Sequence, residues 1–272
     1  MSGKYHSFKL ALSGNVHRAD GSESQDAYAL DLSDDFVLAL VSDGVGSCPD
    51  ARVGAIFITQ ALRRLMRGHQ VTLMELSEKL TPEVFGERLM AWLNRELPAE
   101  LTRAACYLGG EVTHTKPMLE RFLCATVLGF VMLPPTTVAF ACGDGVLLVN
   151  QEWSELRAVR DNAPALPAHH AAGSENRTGL LKVVLAGESD ALQSVAIGTD
   201  GAVDLIAASR QRLLADASGM HAGSAVEENL LIPGGNSVFP YDDATLVGVV
   251  RRASPASAPP PQPVPTCAGV GV

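Results

Sequence analysis

Short apolar runs, each joined to an acidic turn, set the pattern of the chain. Phe36-Val37-Leu38-Ala39-Leu40-Val41 passes directly into Ser42-Asp43-Gly44-Val45-Gly46. Val138-Ala139-Phe140-Ala141-Cys142 passes into Gly143-Asp144-Gly145, and Ser194-Val195-Ala196-Ile197 into Gly198-Thr199-Asp200-Gly201. Tyr241-Asp242-Asp243-Ala244 opens onto Thr245-Leu246-Val247-Gly248-Val249-Val250. Continuous apolar runs of this length, bounded by turn residues, read as buried strands. Phe8 to Leu12 and Ala27 to Leu32 add two strands around Ser24-Gln25-Asp26. Cys124 to Met132 and Thr136 to Cys142 predict a hairpin across Pro134-Pro135, and Val146 to Asn150 a further strand.

The period changes in two places. Val53, Ile56, Phe57, Leu62, Leu65 and Met66 recur at helical spacing, with Arg63, Arg64 and Arg67 on the wetter side. A second long helix is predicted from Pro82 through Phe85, Leu89, Trp92 and Leu93, with Pro98 expected to break it or to start another segment. Val203, Leu205, Ile206, Leu213 and Leu214 suggest more helical packing after Asp200. Helices with strands on either side in sequence predict a sheet with helices packed on it. Residues 160–174 are rich in Ala, Pro and His without period and read as a long loop that is functional or flexible. Beyond Arg252 the Pro-rich composition predicts an extended, disordered tail over 253–272.

With 272 residues and 47% hydrophobic content, the chain can bury a sizeable core. A net charge of −9 argues against a general affinity for nucleic acid or for an anionic membrane. The 5 cysteines are scattered, with no metal-ligand spacing, and their odd count suggests a reducing compartment. The N-terminus is polar, and no apolar stretch approaches the ~18 residues of a membrane span. These features lead to the expectation of a soluble cytoplasmic protein.

Carboxylates at the ends of buried strands are costly unless something neutralises them. Several in one domain suggest a hard-cation site, because Mg²⁺ and Mn²⁺ prefer oxygen ligands. Taken singly, each of these motifs is also an ordinary turn, and Asp144-Gly145 has the form of a two-residue hairpin turn. No Gly-rich Lys-Ser/Thr phosphate loop is present, which excludes a P-loop nucleotide enzyme.

The ordered set of turns resembles the metal-dependent protein phosphatases of the 2C (PPM) family, in their compact bacterial form. Ser24-Gln25-Asp26-Ala27 matches the first motif, with Gly14-Asn15-Val16-His17-Arg18 as lead-in. Asp43-Gly44-Val45-Gly46, Cys124-Ala125-Thr126-Val127, Gly143-Asp144-Gly145, Thr199-Asp200-Gly201 and Asp242-Asp243-Ala244-Thr245 follow in the family's order. The resemblance implies an α+β fold, a four-layer α-β-β-α sandwich of two mostly antiparallel sheets flanked by helices. It implies a catalytic domain over 1–252 with a mobile flap within about 150–190. It implies a serine/threonine phosphoprotein phosphatase that hydrolyses phosphomonoesters with a water or hydroxide bridged by two Mg²⁺ or Mn²⁺ ions. Asp43 would bridge both ions, the carbonyl of Gly44 would complete one shell, and Asp200 and Asp242 would hold the other ion. Asp144, with Asp200, would hold a weaker third ion. Asp26 would orient a metal water. From its own chemistry His17 is a candidate general acid or a structural histidine of the lead-in, and Arg18 a candidate phosphate-binding residue or a solvated loop arginine.

This sequence departs from the family pattern in three places. Gln25 stands where eukaryotic members carry a Glu ligand, Asp243 where many carry Asn, and Arg18 lies further from Asp26 than the usual phosphate-binding Arg. The register to Thr245 makes Asp242 rather than Asp243 the ligand, so Asp243→Asn is expected to be mild. Expected partners are a phosphorylated protein and a cognate Ser/Thr kinase, with the enzyme a monomer. Two rival readings are a pseudophosphatase that only binds a partner, and a small-molecule phosphoester hydrolase.

Overall fold

The computed structural model describes residues 4–48, 50–109, 115–150, 152–157, 166–173, 179–203 and 240–252. Within them two antiparallel five-stranded sheets stack face to face. The first sheet runs β2 (Ala27–Leu32), β3 (Val37–Ser42), β4 (Val127–Met132), β5 (Thr136–Cys142), β8 (Lys182–Glu188). The second runs β1 (Tyr5–Leu12), β10 (Ala244–Arg251), β9 (Ser194–Gly198), β6 (Gly145–Val149), β7 (Glu152–Leu156).

Strand β3 shows why the apolar runs lack alternation. Val37, Ala39 and Val41 join Val195, Ile197, Val247 and Val249 between the sheets. Leu38 and Leu40 point the other way, into a core shared with the helices. With both faces covered, polar positions have no place on the strand. The edge strand β7 keeps exposed Glu152, Ser154 and Glu155.

Helices α2 (Ala51–Gly68) and α4 (Pro82–Gly109) cover the outer face of the first sheet, with α3 (Gln70–Lys79) and α5 (Thr115–Phe122) beside them. On the outer face of the second sheet, Leu10, Val146, Leu148, Ala196 and Leu246 pack with Ala202. Leu205, Ile206, Leu213 and Leu214, expected to continue that layer, lie outside the described residues, as does the tail over 253–272. The architecture is the α+β sandwich that the turn pattern implied.

Pro98 does not break the second long helix, which runs through it. An internal proline forfeits a backbone bond and crowds the carbonyl four residues back, at a cost of about 3 kcal/mol. Leu93, Leu97 and Leu101 are fully buried on both sides of the proline and hold the helix on the core. Asn94, whose carbonyl loses its partner, is itself anchored: its Nδ2 donates to Leu181 O at 3.0 Å and its Oδ1 accepts from Leu181 N at 2.8 Å. Packing therefore outweighs the local rule.

Part of the stretch expected to be a loop is a short helix, α6 (Pro167–Ala171). Leu166 and Ala168 are buried in the core that α4 and α5 share. This piece is anchored in the helical layer, and it lacks a visible period because a single turn is too short to show one. Residues 158–165 and 174–178 of that region lie outside the described residues.

One charged clasp fixes α2 on β2. Asp31 accepts from Arg63 Nε at 2.9 Å, Arg63 Nη2 at 2.6 Å and Arg67 Nη1 at 3.0 Å. Burial acts to raise the Asp31 carboxyl, but the hydrogen bonds and charges of Arg63 and then Arg67 overcome it and hold it below the usual range. A carboxyl lowered by folding stabilises the protein above its unfolded range, and that contribution is lost as pH falls through the lowered value. Asp31→Ala is expected to cost about 2 kcal/mol at pH 7, the worth of charged hydrogen bonds. Chemical denaturation at pH 7 and pH 3 checks this, and the gap to wild type should shrink at pH 3.

Candidate active site

The antiparallel order gathers the acidic turns at one end of the sandwich. Ala27 pairs with Ser42 and Val127 with Cys142, so β2 and β4 start where β3 and β5 finish. In the second sheet Gly198 pairs with both Leu246 and Val146, and Leu12 with Ala244. Asp26, Asp43, Asp144, Asp200 and Asp242 all leave strands at that end.

The Asp144 turn is not a hairpin. It carries the chain from β5 in the first sheet to β6 in the second. Gly143 and Gly145 both have positive φ, 109° and 145°. A Cβ on Gly143 would stand 2.7 Å from the Thr126 side chain, and one on Gly145 2.5 Å from Gly198 O. The two glycines let this crossover press against the neighbouring turns and bring Asp144 to Asp200.

The carboxylates act on one another. Burial raises the Asp43 carboxyl well above its usual value, and the charges of Asp26, Asp200 and Asp242 push it further. Burial raises Asp26 to about 7, against the lowering effect of hydrogen bonds from Thr199 and Thr245. Asp200 is raised by burial and then by the charges of Asp144 and Asp242, and Asp144 by burial. Asp26, Asp43, Asp144, Asp200 and Asp242 thus form one cluster of crowded negative charge, as their order in the sequence implied.

Hydroxyl side chains hold this cluster in place, and the sequence reading passed over most of them. Thr199 Oγ1 donates to Asp26 Oδ2 at 2.8 Å and accepts from Thr245 N at 2.9 Å, which ties the first, fifth and last motifs together. Thr126 Oγ1 accepts from Asp43 N at 3.1 Å, and Thr126 N donates to Asp43 O at 2.8 Å. Thr126 thus packs beside the site, as expected. The signal for Thr199 and Thr245 was present in the sequence, as a hydroxyl residue beside each acidic turn. Gly44 bridges to Ala125, and a Cβ there would lie 2.8 Å from Ala51 C, so the start of α2 demands glycine.

His17 and Arg18 lie on α1 (Asn15–Asp20), a short helix of the lead-in. His17 Nδ1 stands 2.9 Å from Asp243 Oδ2, and that contact raises the imidazole above its usual value. His17, Asp242 and Asp243 offer ligand atoms within 4.8 Å of one another, so the helix borders the carboxylate cluster. Arg18 is exposed on the same helix. Asp243 is 2% exposed, whereas Asp242 beside it is exposed.

The cluster fits hard divalent cations on two grounds. Its donors are all oxygens and too crowded to ionise together without a counter-charge. In addition, Asp26 Oδ1 is buried with no well-aligned donor, while Oδ2 accepts from Thr199 and the Asp43 carboxyl lies against the Asp26 carboxyl. A buried acceptor left open inside an anionic cluster is a place for a cation or its water.

Two stacked antiparallel sheets thus carry a cluster of crowded carboxylates at one end. Residues 13–228 match the family model described as protein phosphatase 2C, and the chain belongs to that family of metal-dependent protein serine/threonine phosphatases. No curated protein matches the chain significantly. Its fold is similar to that of a bacterial serine phosphatase, at TM-score 0.58 and 13% identity over 92% of this chain and 99% of that one. It is also similar to the serine/threonine phosphatase Stp1 of Staphylococcus aureus, at TM-score 0.56 and 13% identity over 93% and 97% of the two chains. PppA, a key regulatory component of T6SS in Pseudomonas aeruginosa, is similar at TM-score 0.53 and 18% identity over 92% and 98%. Among the described residues no helix is long and apolar enough to cross a membrane.

Proposed function

We propose that the protein hydrolyses phosphoserine and phosphothreonine on protein substrates with two Mg²⁺ or Mn²⁺ ions, acting as a monomer in the cytoplasm and reversing a Ser/Thr kinase. The observation that carries this reading is the open Oδ1 of Asp26 within the crowded Asp43, Asp200 and Asp242 cluster. Asp43 would hold both ions, Gly44 would lend its carbonyl to one, and Asp200 and Asp242 would hold the other. Asp144, which acts on Asp200, would serve a third. When bound, the ions would acidify a water and offset the charge of the phosphoryl group. Asp26, fixed by Thr199, would orient that water through its open oxygen.

Two groups remain for the substrate side. His17 turns Nδ1 to within 2.9 Å of Asp243 Oδ2, which leaves Nε2 to protonate the leaving oxygen. The raised value of His17 keeps that proton available near neutrality. Arg18, one residue on, would take the phosphate oxygens bidentately.

The test compares an aryl phosphate with a phosphoserine peptide, with and without Mn²⁺. Turnover on both should require the metal. His17→Ala should slow the peptide about 10- to 100-fold and the aryl phosphate much less, because an alkoxide needs the proton and an aryl oxide does not. An equal loss on both would remove His17 as the acid. Metal-independent turnover would overturn the two-ion reading, and turnover of the aryl phosphate alone would point to small phosphoesters.

A further inference from the structure

The buried carboxylate of Asp243 joins segments that are far apart in sequence. Its Oδ1 accepts from Gly14 N at 2.8 Å, and its Oδ2 accepts from Gln25 N at 2.6 Å. The same Oδ2 lies 2.9 Å from His17 Nδ1. Gly14 caps α1, and Gln25 immediately precedes Asp26. The backbone here is equally confined. A Cβ on Gly14 would stand 2.4 Å from Asp242 C, and one on Gly201 2.1 Å from Asp243 O. Asp243 N donates to Asp242 Oδ1 at 2.8 Å, so the same residue steadies its neighbour.

We infer that Asp243 is a positioning residue for the phosphatase reaction, holding the Asp26 loop and the His17–Arg18 helix in fixed relation to Asp242. This rests on the roles proposed above for those residues. Its two oxygens each accept from a different backbone N–H, which only a carboxylate can do. An asparagine would keep one acceptor and turn an amide NH₂ toward the other N–H. The expected mildness of Asp243→Asn, read from the sequence, is therefore reversed: the amide is nearly the same size but has the wrong hydrogen-bond polarity. A displacement of the Asp26 loop or of α1 by about 1 Å is enough to cost on the order of 100-fold in rate.

The experiment measures wild type, Asp243→Asn and Gln25→Pro, the last deleting one N–H that Asp243 accepts, with Gln25→Ala as the control for loss of the Gln25 side chain. Melting curves and Mn²⁺ titration calorimetry establish folding and metal occupancy. Kinetics are then read on the folded proteins at saturating Mn²⁺, well below their melting temperatures. Asp243→Asn and Gln25→Pro should both bind Mn²⁺ yet lose about 10- to 100-fold in kcat. A purely structural residue would lower the melting temperature and leave kcat unchanged. Wild-type kcat and KM in folded Asp243→Asn or Gln25→Pro would overturn the inference, and Gln25→Pro decides alone if the asparagine variant does not fold. A metal-independent wild type would overturn the functional reading, and this inference with it.

Discussion

Asp43→Ala should abolish Mn²⁺-dependent turnover, by about a thousandfold or more, while the metal-free protein melts no lower than wild type. The two halves of this expectation have one origin. Asp43 lies at the centre of the cluster, where burial and the charges of Asp26, Asp200 and Asp242 all oppose its ionisation. Removing it relieves that repulsion, so the fold loses nothing and can gain, the usual trade between a strained site and stability. The same removal takes away the carboxylate proposed to hold both ions. Losing several kcal/mol of charge stabilisation in the transition state corresponds to at least about three decades in rate. Steady-state kinetics and calorimetric melting with and without Mn²⁺ check the two halves. Near wild-type turnover in a folded variant would refute the assignment. A collapse of the metal-free fold would show that Asp43 is structural.

Metal removal and pH should act together, and this is the second large effect. A chelator should abolish turnover, with Mn²⁺ or Mg²⁺ restoring it. Asp26 is raised to about 7 by burial, so below that pH the metal-free site holds a proton that must leave before ions bind in full. Apparent Mn²⁺ affinity should therefore rise about tenfold per pH unit for each proton displaced, up to pH ~7 for the Asp26 proton and for as long as Asp43 also holds one. The sign for stability follows from the same shift. A carboxyl raised by folding favours the folded state below its unfolded range, and that contribution is lost as pH rises through the folded value. The metal-free site should thus weaken the fold from about pH 4 to about pH 7, and Mn²⁺ should raise the melting temperature more at pH 8 than at pH 6. Titration calorimetry in buffers of different ionisation heats measures the protons released. A flat affinity from pH 5 to pH 8 would show that the carboxylates are already ionised.

Much of this was legible in the chain itself, for local reasons. The apolar runs fixed β3, β5, β9 and β10 to within a residue or so, because strands covered on both faces read as apolar runs bounded by turn residues. The order of the acidic turns, through its resemblance to the 2C phosphatases, grouped Asp43, Asp144, Asp200 and Asp242 before any contact was known. In the structure antiparallel strands return to the same end of the sandwich and bring these carboxylates near one another.

The rest was decided by tertiary structure. Asp144-Gly145 has the local form of a hairpin turn, but only the assignment of β5 and β6 to different sheets makes it a crossover. Pro98 obeys no local rule, because Leu97 and Leu101 are buried on either side of it and that burial is invisible in the dipeptide. Asp243 looked like a spare neighbour of Asp242. Its partners, Gly14 and Gln25, lie 229 and 218 residues away, and no pattern along the chain records where a buried carboxylate finds its donors. Sequence periodicity reports which face of an element is wet. Which distant backbone N–H a polar atom meets is settled only when the two sheets close on each other.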